Sequence, residues 1–480
     1  MPKTAGVDTK ALEKLGLQRL IELIAEESET NPKFRKRVKA ALTVLKGPAA
    51  LAREVEKQLS AIERAKSAVT YEREAAYAAD LRVTVRTIAT DLAAHDTGAA
   101  AENLLRFIAT SEHVFQRVYN GRLVNPVYDD ALETLVELLP GLPEKSAALL
   151  PPLATKLLLD DHDGLGLTTA LALAGRLPAS VRNAWDEALA KLPRAKAPQK
   201  NPFWIDRSGD AAIAVRMALA DADGNLDRWV TLAASLSPNA RSPLAIARRL
   251  HEAGRHAEAL KWVREKSPRS LVRHLHRTDL GIVVVGDEMN EDRIMLEADI
   301  LWAIGERKAA QQTRWDWFEK SLQVETLRAY IAALDDFAEF EETDRAFAVV
   351  DASKDIHRAL SFYLLWPRTD RAAALVLRNH AAWSGQHYDL LSAAAEILEE
   401  AHAAAAVVLY RALLNDILNN GKSQAYGHAA RYWLRLVDLA EAANSVPGIE
   451  THQTYGAALR KKHGRKYGFV YEVRVLGGVF

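Results

Sequence analysis

The chain has 480 residues, which is too long for one ordinary domain, and its 63 basic and 63 acidic side chains cancel at pH 7. Proteins that coat nucleic acid or anionic membranes are usually basic overall, so neither class is favoured. The sequence has no cysteine, which excludes disulfides, thiolate zinc sites, iron–sulfur clusters and cysteine nucleophiles.

No segment of the sequence predicts a membrane span. The first residues, MPKTAGVDTK, lack the apolar stretch of a signal peptide. The longest uninterrupted apolar run, Ala403 to Tyr410, is far shorter than the roughly 18 residues that cross a bilayer. We therefore expect a soluble, cytoplasmic protein with no membrane partner.

Amphipathic patterns predict stacked helices over residues 1–192. Apolar residues recur at helical spacing from Leu12 to Ala25, and long helix-forming runs continue to Tyr119. Prolines, among them Pro151 and Pro152, then divide the chain into shorter helices. The pattern is typical of HEAT-like helices without a clean repeat.

A linker is predicted over residues 193–207. The stretch KLPRAKAPQKNP, Lys191 to Pro202, contains three prolines, four basic residues and only one large apolar side chain. Such a composition is typical of a domain boundary. We predict an N-terminal helical domain over residues 1–192 and a helical-repeat domain over residues 208–480.

The second domain begins with two helical hairpins. In the stretch RRLHEAGRHAEALKWVREK, Gly254 follows one helical period and Ala259 lies five residues into the next. Gly305 and Ala310 repeat this pattern. Glycine accepts the positive φ of a tight turn, and a small residue lets two helices cross closely. The arrangement is tetratricopeptide-like. The separation between Gly254 and Gly305 exceeds the usual repeat length of about 34 residues, so we expect an inserted segment between the two hairpins.

Looser hairpins follow around Gly385 and Gly421. One hairpin cannot bury its own apolar face, so neighbouring hairpins must stack. We predict an all-α fold, an α-solenoid of stacked helical hairpins that is HEAT-like in the first part and TPR-like in the second. An irregular helical bundle is the alternative.

Two segments interrupt the helical pattern. GIVVVGDE, residues 281–288, is a β-branched run between glycines and predicts a short strand or extended loop as the inserted segment. GFVYEVRV, residues 468–475, alternates Phe469, Tyr471 and Val473 with polar and smaller side chains and also predicts a strand. A lone strand needs a partner, so the two could pair.

Three stretches carry a resemblance to known proteins: LEKLGLQRLIELIAEESETNPKFRKRV, EAGRHAEALKW and YRALLNDILNNGKSQAYGHAARYWLRLVDLA. They resemble an uncharacterised family of bacterial helical-repeat proteins, a domain of unknown function. The third stretch, continued by THQTYGAALRKKHGRKYGF, is also similar to the helical region of bacterial SWIM-type zinc-finger proteins. Those proteins bind zinc through a Cys-x-Cys…Cys-x-His motif, so the zinc site and its DNA-binding role do not carry over to a chain without cysteine.

Three constellations could carry chemistry. Residues 160–163, DDHD, offer three carboxylates and an imidazole but not the spacing of an EF-hand, so an acidic helix–helix turn is the other interpretation. Glu399 and His402 form a Glu-x-x-His pair without the second copy that a di-iron site needs. His274 and His276 lie among arginines; they would face different sides of a helix and would converge only in an extended chain. We expect no metal and no cofactor.

The sequence contains no P-loop, nucleophile elbow, zincin motif or kinase signature. We therefore expect a non-catalytic protein–protein interaction scaffold that holds a protein or peptide in a concave groove. Aromatic residues and arginine dominate binding hot spots. The predicted binding residues, each tryptophan of which could equally belong to the core, are Trp262, Trp302, Arg314, Trp315 and Trp317.

The rival hypothesis is a nucleic-acid-binding protein. Residues 33–39, KFRKRVK, and residues 460–474 are basic clusters, and the second contains three aromatic residues. Basic residues interleaved with aromatics can follow a nucleic-acid backbone and stack on its bases. The residues implied are Lys36, Arg37, Lys461, Lys462, Arg465, Lys466 and Tyr467. A solvated helix face followed by a packed capping segment is the alternative interpretation.

Overall fold

The computed structural model divides the chain into two compact units, Met1–Ser242 and Pro243–Phe480. The residues described are 12, 14–31, 34–35, 38, 42, 48–161, 164–195, 206–265, 274–277, 283–286, 288–334, 338–444 and 448–480. Within this part of the chain, no helix combines the length and apolar composition needed to cross a bilayer.

The described part of the first unit is helical, as predicted. Its α-helices are α1 (Leu17–Thr30), α2 (Pro48–Arg64), α3 (Tyr71–Arg86), α4 (Thr97–Ile108), α5 (Ser111–Phe115), α6 (Asn125–Leu138), α7 (Glu144–Ala147), α8 (Leu150–Leu159), α9 (Leu165–Ala174), α10 (Ala179–Ala190), α11 (Arg207–Ala222) and α12 (Leu226–Ala234). A π-helix, Thr87–Leu92, continues α3, and a 3-10 turn, Leu139–Gly141, follows α6. The core of this unit extends from Leu51 in α2 to Leu219 in α11.

Helix α11 packs within the first unit. Ala212, Val215 and Leu219 belong to the same buried cluster as the helices before them. Arg216 of α11 lies 3.0 Å from the buried Asp186 of α10, so an ion pair joins the two helices. The structure therefore divides the chain after α12, whereas the sequence placed the boundary at residues 193–207, of which 196–205 lie outside the described residues.

The described part of the second unit is also built from helices, with one strand pair. Its elements are α13 (Pro243–Glu252), α14 (His256–Val263), β1 (His274–Arg277), β2 (Val283–Gly286), α15 (Glu288–Ala303), α16 (Arg307–Ser321), α17 (Val324–Ile331), α18 (Ala338–Asp351), α19 (Ile356–Leu365), α20 (Thr369–Arg378), α21 (Tyr388–Glu399), α22 (Ala403–Asn419), α23 (Tyr426–Asp438), α24 (Ala440–Asn444), α25 (His452–His463) and α26 (Tyr467–Val475). Two 3-10 turns, Gly385–His387 and Ser423–Ala425, precede α21 and α23. The buried core extends from Trp315 to Val473.

The two predicted hairpins are confirmed. Gly254 separates α13 from α14 with φ of 75°, and Gly305 separates α15 from α16 with φ of 89°. Ala259 and Ala310, the predicted crossing residues, are fully buried. Both glycines are therefore required by backbone conformation, because a residue with a Cβ is strained at positive φ.

We expect Gly254→Val and Gly305→Val each to reduce the free energy of unfolding by about 1–2 kcal/mol or more, because a β-branched residue tolerates the left-handed region poorly. No atom lies within 4 Å of a Cβ built at either position, so strain and not a clash would be the cause. Thermal unfolding measures the effect. Gly175→Val is the matched control, since Gly175 has an ordinary helical φ of −78° and equally open surroundings.

The strand prediction is confirmed for one segment and wrong for the other. Val283–Gly286 is a strand, but it pairs antiparallel with His274–Arg277. The segment 468–475 is part of the helix α26. Phe469 and Val473 are fully buried four residues apart, which is helical spacing, and α26 packs against α23. Tertiary packing of this face therefore overrides the β-propensity of its aromatic and β-branched residues.

Candidate functional site

Two of the predicted binding residues lie in the core of the second unit. Trp315 is 3% exposed, and its ring contacts Phe318 and Tyr330 with centroids 5.5 and 5.2 Å away. Arg314 is 6% exposed and pairs with Asp299 at 2.8 Å. Neither side chain offers a surface to a partner.

The other three predicted tryptophans are half-buried. The ring of Trp302 lies beside two guanidinium groups, with 5.1 Å from its centroid to Arg307 and 5.6 Å to Arg314. The indole nitrogen of Trp317 is buried without a hydrogen-bond partner. Trp262 lies on α14, apart from this pair in sequence. Trp302 packs within the hairpin of α15 and α16, and none of the three tryptophans lines the cleft between α21, α22 and α23.

The C-terminal basic cluster lies next to the end of α22. Lys462 Nζ donates a hydrogen bond to Asn419 Oδ1 at 2.7 Å, and the ammonium of Lys466 lies close to Gly421. Cations are favourable there, because the C-terminus of a helix carries partial negative charge. Lys461 and Arg465 are exposed. Tyr467 is also exposed, whereas Lys36 and Arg37 lie outside the described residues.

The acidic turn at 160–163 is a helix cap as far as it is described. Asp161 Oδ1 accepts a hydrogen bond from Gly164 N at 2.9 Å, and its Oδ2 accepts one from Leu167 N at 2.8 Å. The carboxylate thereby satisfies free N–H groups at the start of α9. His162 and Asp163 lie outside the described residues.

The remaining candidate ligands are Glu399 and the histidines of β1. Glu399 accepts a hydrogen bond from the Tyr410 hydroxyl at 2.6 Å and lies 3.5 Å from Arg435. His274 and His276 lie on the strand β1, which is the extended conformation that the sequence left open. Among the residues that the structure describes, no group of three histidine or carboxylate side chains could hold a metal ion.

A well-formed cleft of the second unit lies between α21, α22 and α23 and has a volume of about 640 Å³. One wall is a face of α21, where residues recur at helical spacing from Tyr388 to Glu396. Leu413 and Ile417 of α22 contribute apolar surface, and Tyr432 of α23 lines the opposite side. Concave clefts that combine apolar lining with a few polar groups are the usual binding sites of proteins.

Polar contacts tie the three helices together around the cleft. The Tyr432 hydroxyl lies 3.4 Å from Ser392 Oγ, which joins α23 to α21. Glu399 at the end of α21 accepts from Tyr410 of α22 and pairs with Arg435 of α23. Burial, reinforced by the hydrogen bond to Glu399, raises the pKa of Tyr410 well above its usual range, so the phenol stays a donor. These contacts therefore hold α21, α22 and α23 in place around the cleft.

The lining of the cleft is acidic. Asp389, Glu396 and Asp416 face Lys422 and the ring of His428. Asp416 is compensated by Lys422, whose Nζ lies 2.6 Å from its carboxylate. Glu396 is exposed and has no hydrogen-bond or ion-pair partner among the described residues. The mouth thus combines negative charge with the aromatic ring of Tyr388, which is 61% exposed.

Sequence reasoning located the two turns that border this cleft but not the cleft itself. Gly385 lies against α22, since a Cβ there would be 2.5 Å from the carbonyl oxygen of Ala412. Ser392 and Ala393 are small, and they leave the gap that Tyr388 and Glu396 flank. The signal in the sequence that could have indicated the cleft was the pair of small residues between a tyrosine and a glutamate on one face of α21.

A second cleft of about 640 Å³ lies in the first unit beside the π-helix. Its lining mixes Arg82 and Arg86 with Asp80, Asp91 and Asp130, and it contains no aromatic side chain. Because the charges there are of both signs, this cleft indicates no particular class of ligand.

A family model described as a family of unknown function, DUF6880, matches residues 3–472. The chain belongs to DUF6880. The predicted resemblance to an uncharacterised family is confirmed over nearly the whole chain, while the similarity to SWIM-type proteins stays a prediction. No curated protein and no solved structure matches the DUF6880 chain. Membership in this family assigns no activity to the chain.

Proposed function

We propose that this protein is a non-catalytic protein–protein interaction scaffold that binds a peptide segment of its partner in the cleft between α21, α22 and α23. One observation carries the proposal: an exposed tyrosine, Tyr388, stands beside an unpaired glutamate, Glu396, at the mouth of a cleft with an apolar floor. Exposed aromatic residues over a well-packed pocket are typical of binding hot spots.

The charge of the cleft defines the partner. Glu396 has no ion-pair partner among the described residues, whereas Asp416 is compensated by Lys422. A partner segment with a lysine or arginine next to an apolar residue would place its cation at Glu396 and its apolar side chain on Leu413 and Ile417. Complementary charge of this kind determines specificity and association rate more than total affinity.

The proposal includes a solenoid-like stacking of hairpins, HEAT-like in the first part and TPR-like in the second. In its support, α13 packs against α14, α15 packs against α16, and α14 also packs against α15. Two successive hairpins are thus neighbours in space, as in a repeat array. Such stacks present several surfaces on one frame, which suits a scaffold.

Nucleic-acid binding is the second candidate. Two exposed cations and two exposed rings favour this candidate. The cations are Lys461 and Arg465, and the rings are Tyr467 and Tyr471, which are 79% and 65% exposed. Against it, Lys462 is engaged with Asn419 and Lys466 lies over the turn at Gly421. Two of the four predicted cations of the C-terminal cluster, Lys462 and Lys466, therefore have a structural role at the end of α22, and we favour the scaffold.

A displayed library of random peptides tests the proposal. We expect selection on the purified protein to enrich peptides that pair a lysine or arginine with an apolar or aromatic residue. Glu396→Lys should weaken binding of a selected peptide by about tenfold or more, because a like charge would then face the cation of the peptide. Fluorescence anisotropy with a labelled peptide measures this.

Glu339→Lys is the matched control, since Glu339 is an exposed acid on α18 and does not line the cleft. It should leave peptide affinity unchanged. Equal loss in both variants would mean that net charge, and not the cleft, determines binding. Selection of acidic or uncharged peptides would contradict the proposed partner.

A further inference from the structure

An exposed apolar stripe runs along α26. Tyr467, Tyr471 and Val475 follow one another at four-residue spacing and are 79%, 65% and 60% exposed. Val479, after the helix, is 81% exposed. The opposite face of α26 is buried through Phe469 and Val473, so the helix is fixed while its outer face is uncovered.

This stripe is surrounded by positive charge. Lys461, Arg465 and Arg474 are exposed and have no ion-pair partner among the described residues. The one acid of the helix, Glu472, is turned towards α23, where its carboxylate lies close to Gly427. The α26 surface therefore offers aromatic and apolar contacts within a basic border.

Helix α1 has the complementary character. Leu17, Leu20, Ile21 and Ile24 lie on one face at the i, i+3, i+4, i+7 spacing by which a helix anchors on a partner. The helix has no buried residue, and Leu17 and Ile21 are 77% and 50% exposed. Its other side chains include four glutamates against the single cation Arg19.

We propose that α1 of one copy docks on the α26 surface of a second copy, so that the protein associates with itself head to tail. Apolar side chains would cover each other, while the glutamates of α1 meet Lys461, Arg465 and Arg474. Charge decides against the symmetric alternatives, because pairing two α26 surfaces would oppose basic residues and pairing two α1 helices would oppose glutamates. A head-to-tail contact leaves one free surface at each end, so it produces rings or open filaments.

Two double variants test the contact: Ile21→Ser with Ile24→Ser in α1, and Tyr467→Ser with Tyr471→Ser in α26. Sedimentation velocity of the full chain is measured from low to high micromolar concentration. We expect the mass of the wild type to rise with concentration and to fall as salt screens the charges. Each double variant should associate at least about tenfold more weakly. Phe340→Ser, which removes an 81% exposed ring from α18, should behave as wild type.

Sedimentation of a mixture of the two double variants is the decisive experiment. Each keeps one intact surface, so an equimolar mixture should form a species of two chains and no larger one, although neither variant does so alone. A wild type that stays monomeric at every concentration would overturn the proposal. So would association that survives the α1 changes, which would indicate a symmetric α26 contact. If the chain is monomeric and the α26 changes abolish binding of a labelled oligonucleotide, the surface recognises nucleic acid instead.

Discussion

Replacing Trp315 with Ala is expected to reduce the free energy of unfolding by about 3–5 kcal/mol, the range for removing a buried aromatic ring. The ring is 3% exposed and packs on Phe318 and Tyr330. The Arg345 guanidinium lies 3.7 Å from its centroid, and its indole nitrogen donates to Glu319 at 2.7 Å. The truncation therefore leaves a cavity and removes a cation–π contact and a hydrogen bond together.

Denaturant unfolding followed by circular dichroism measures this loss. Trp302→Ala is the matched comparison, because Trp302 is half-buried on the neighbouring helix. Its replacement should reduce the free energy of unfolding distinctly less than Trp315→Ala does. If Trp315→Ala instead left stability unchanged and abolished peptide binding, the ring would be a contact residue, as its sequence pattern first indicated.

We expect the protein to lose stability as the pH falls below about 6.5, the usual pKa of histidine. Burial lowers the pKa of His357, His452 and His463. Neighbouring cations add to the effect, namely His387 at His357, Arg411 and Arg460 at His452, and Lys462 and Lys466 at His463, while Asp355 opposes it at His357.

The direction of this pH dependence follows from the difference in proton binding between the folded and unfolded chains. Above pH 6.5 these histidines are neutral in both states and contribute no pH dependence. Below it the unfolded chain takes up protons that the folded chain refuses, so the free energy of unfolding falls with pH. Each histidine contributes at most about 1.4 kcal/mol per pH unit until its lowered folded pKa is reached.

His463→Gln isolates one contribution, since this ring is 5% exposed and its Nδ1 has no hydrogen-bond partner. Melting temperatures of wild type and variant are compared at pH 7.5 and 5.5. We expect the difference in melting temperature between pH 7.5 and pH 5.5 to be smaller in His463→Gln than in the wild type. It should be unchanged in His380→Gln, which replaces an exposed histidine. A wild type that is equally stable at both pH values would contradict the burial of these rings.

Local signals predicted the hairpins because their causes are local. Gly254 and Gly305 need positive φ, and Ala259 and Ala310 need to be small, whatever surrounds them. The strand at Val283–Gly286 likewise follows from a β-branched run between glycines.

Features that depend on distant partners could not be read in this way. Phe469 and Val473 fit a strand or a helix equally well until α23 is there to cover them. Trp315 could not be assigned to the core before Tyr330 and Arg345 were known to enclose it. The cleft is formed by α21, α22 and α23 together, so no single stretch of sequence contains it.

Amide hydrogen exchange with and without a selected basic peptide tests whether the cleft between α21, α22 and α23 is the binding surface. We expect the peptide to slow exchange within residues 388–438 and to leave α15 and α16, which carry Trp302, Trp315 and Trp317, unchanged. Protection confined to residues 288–321, or to the basic segment 460–474, would contradict it.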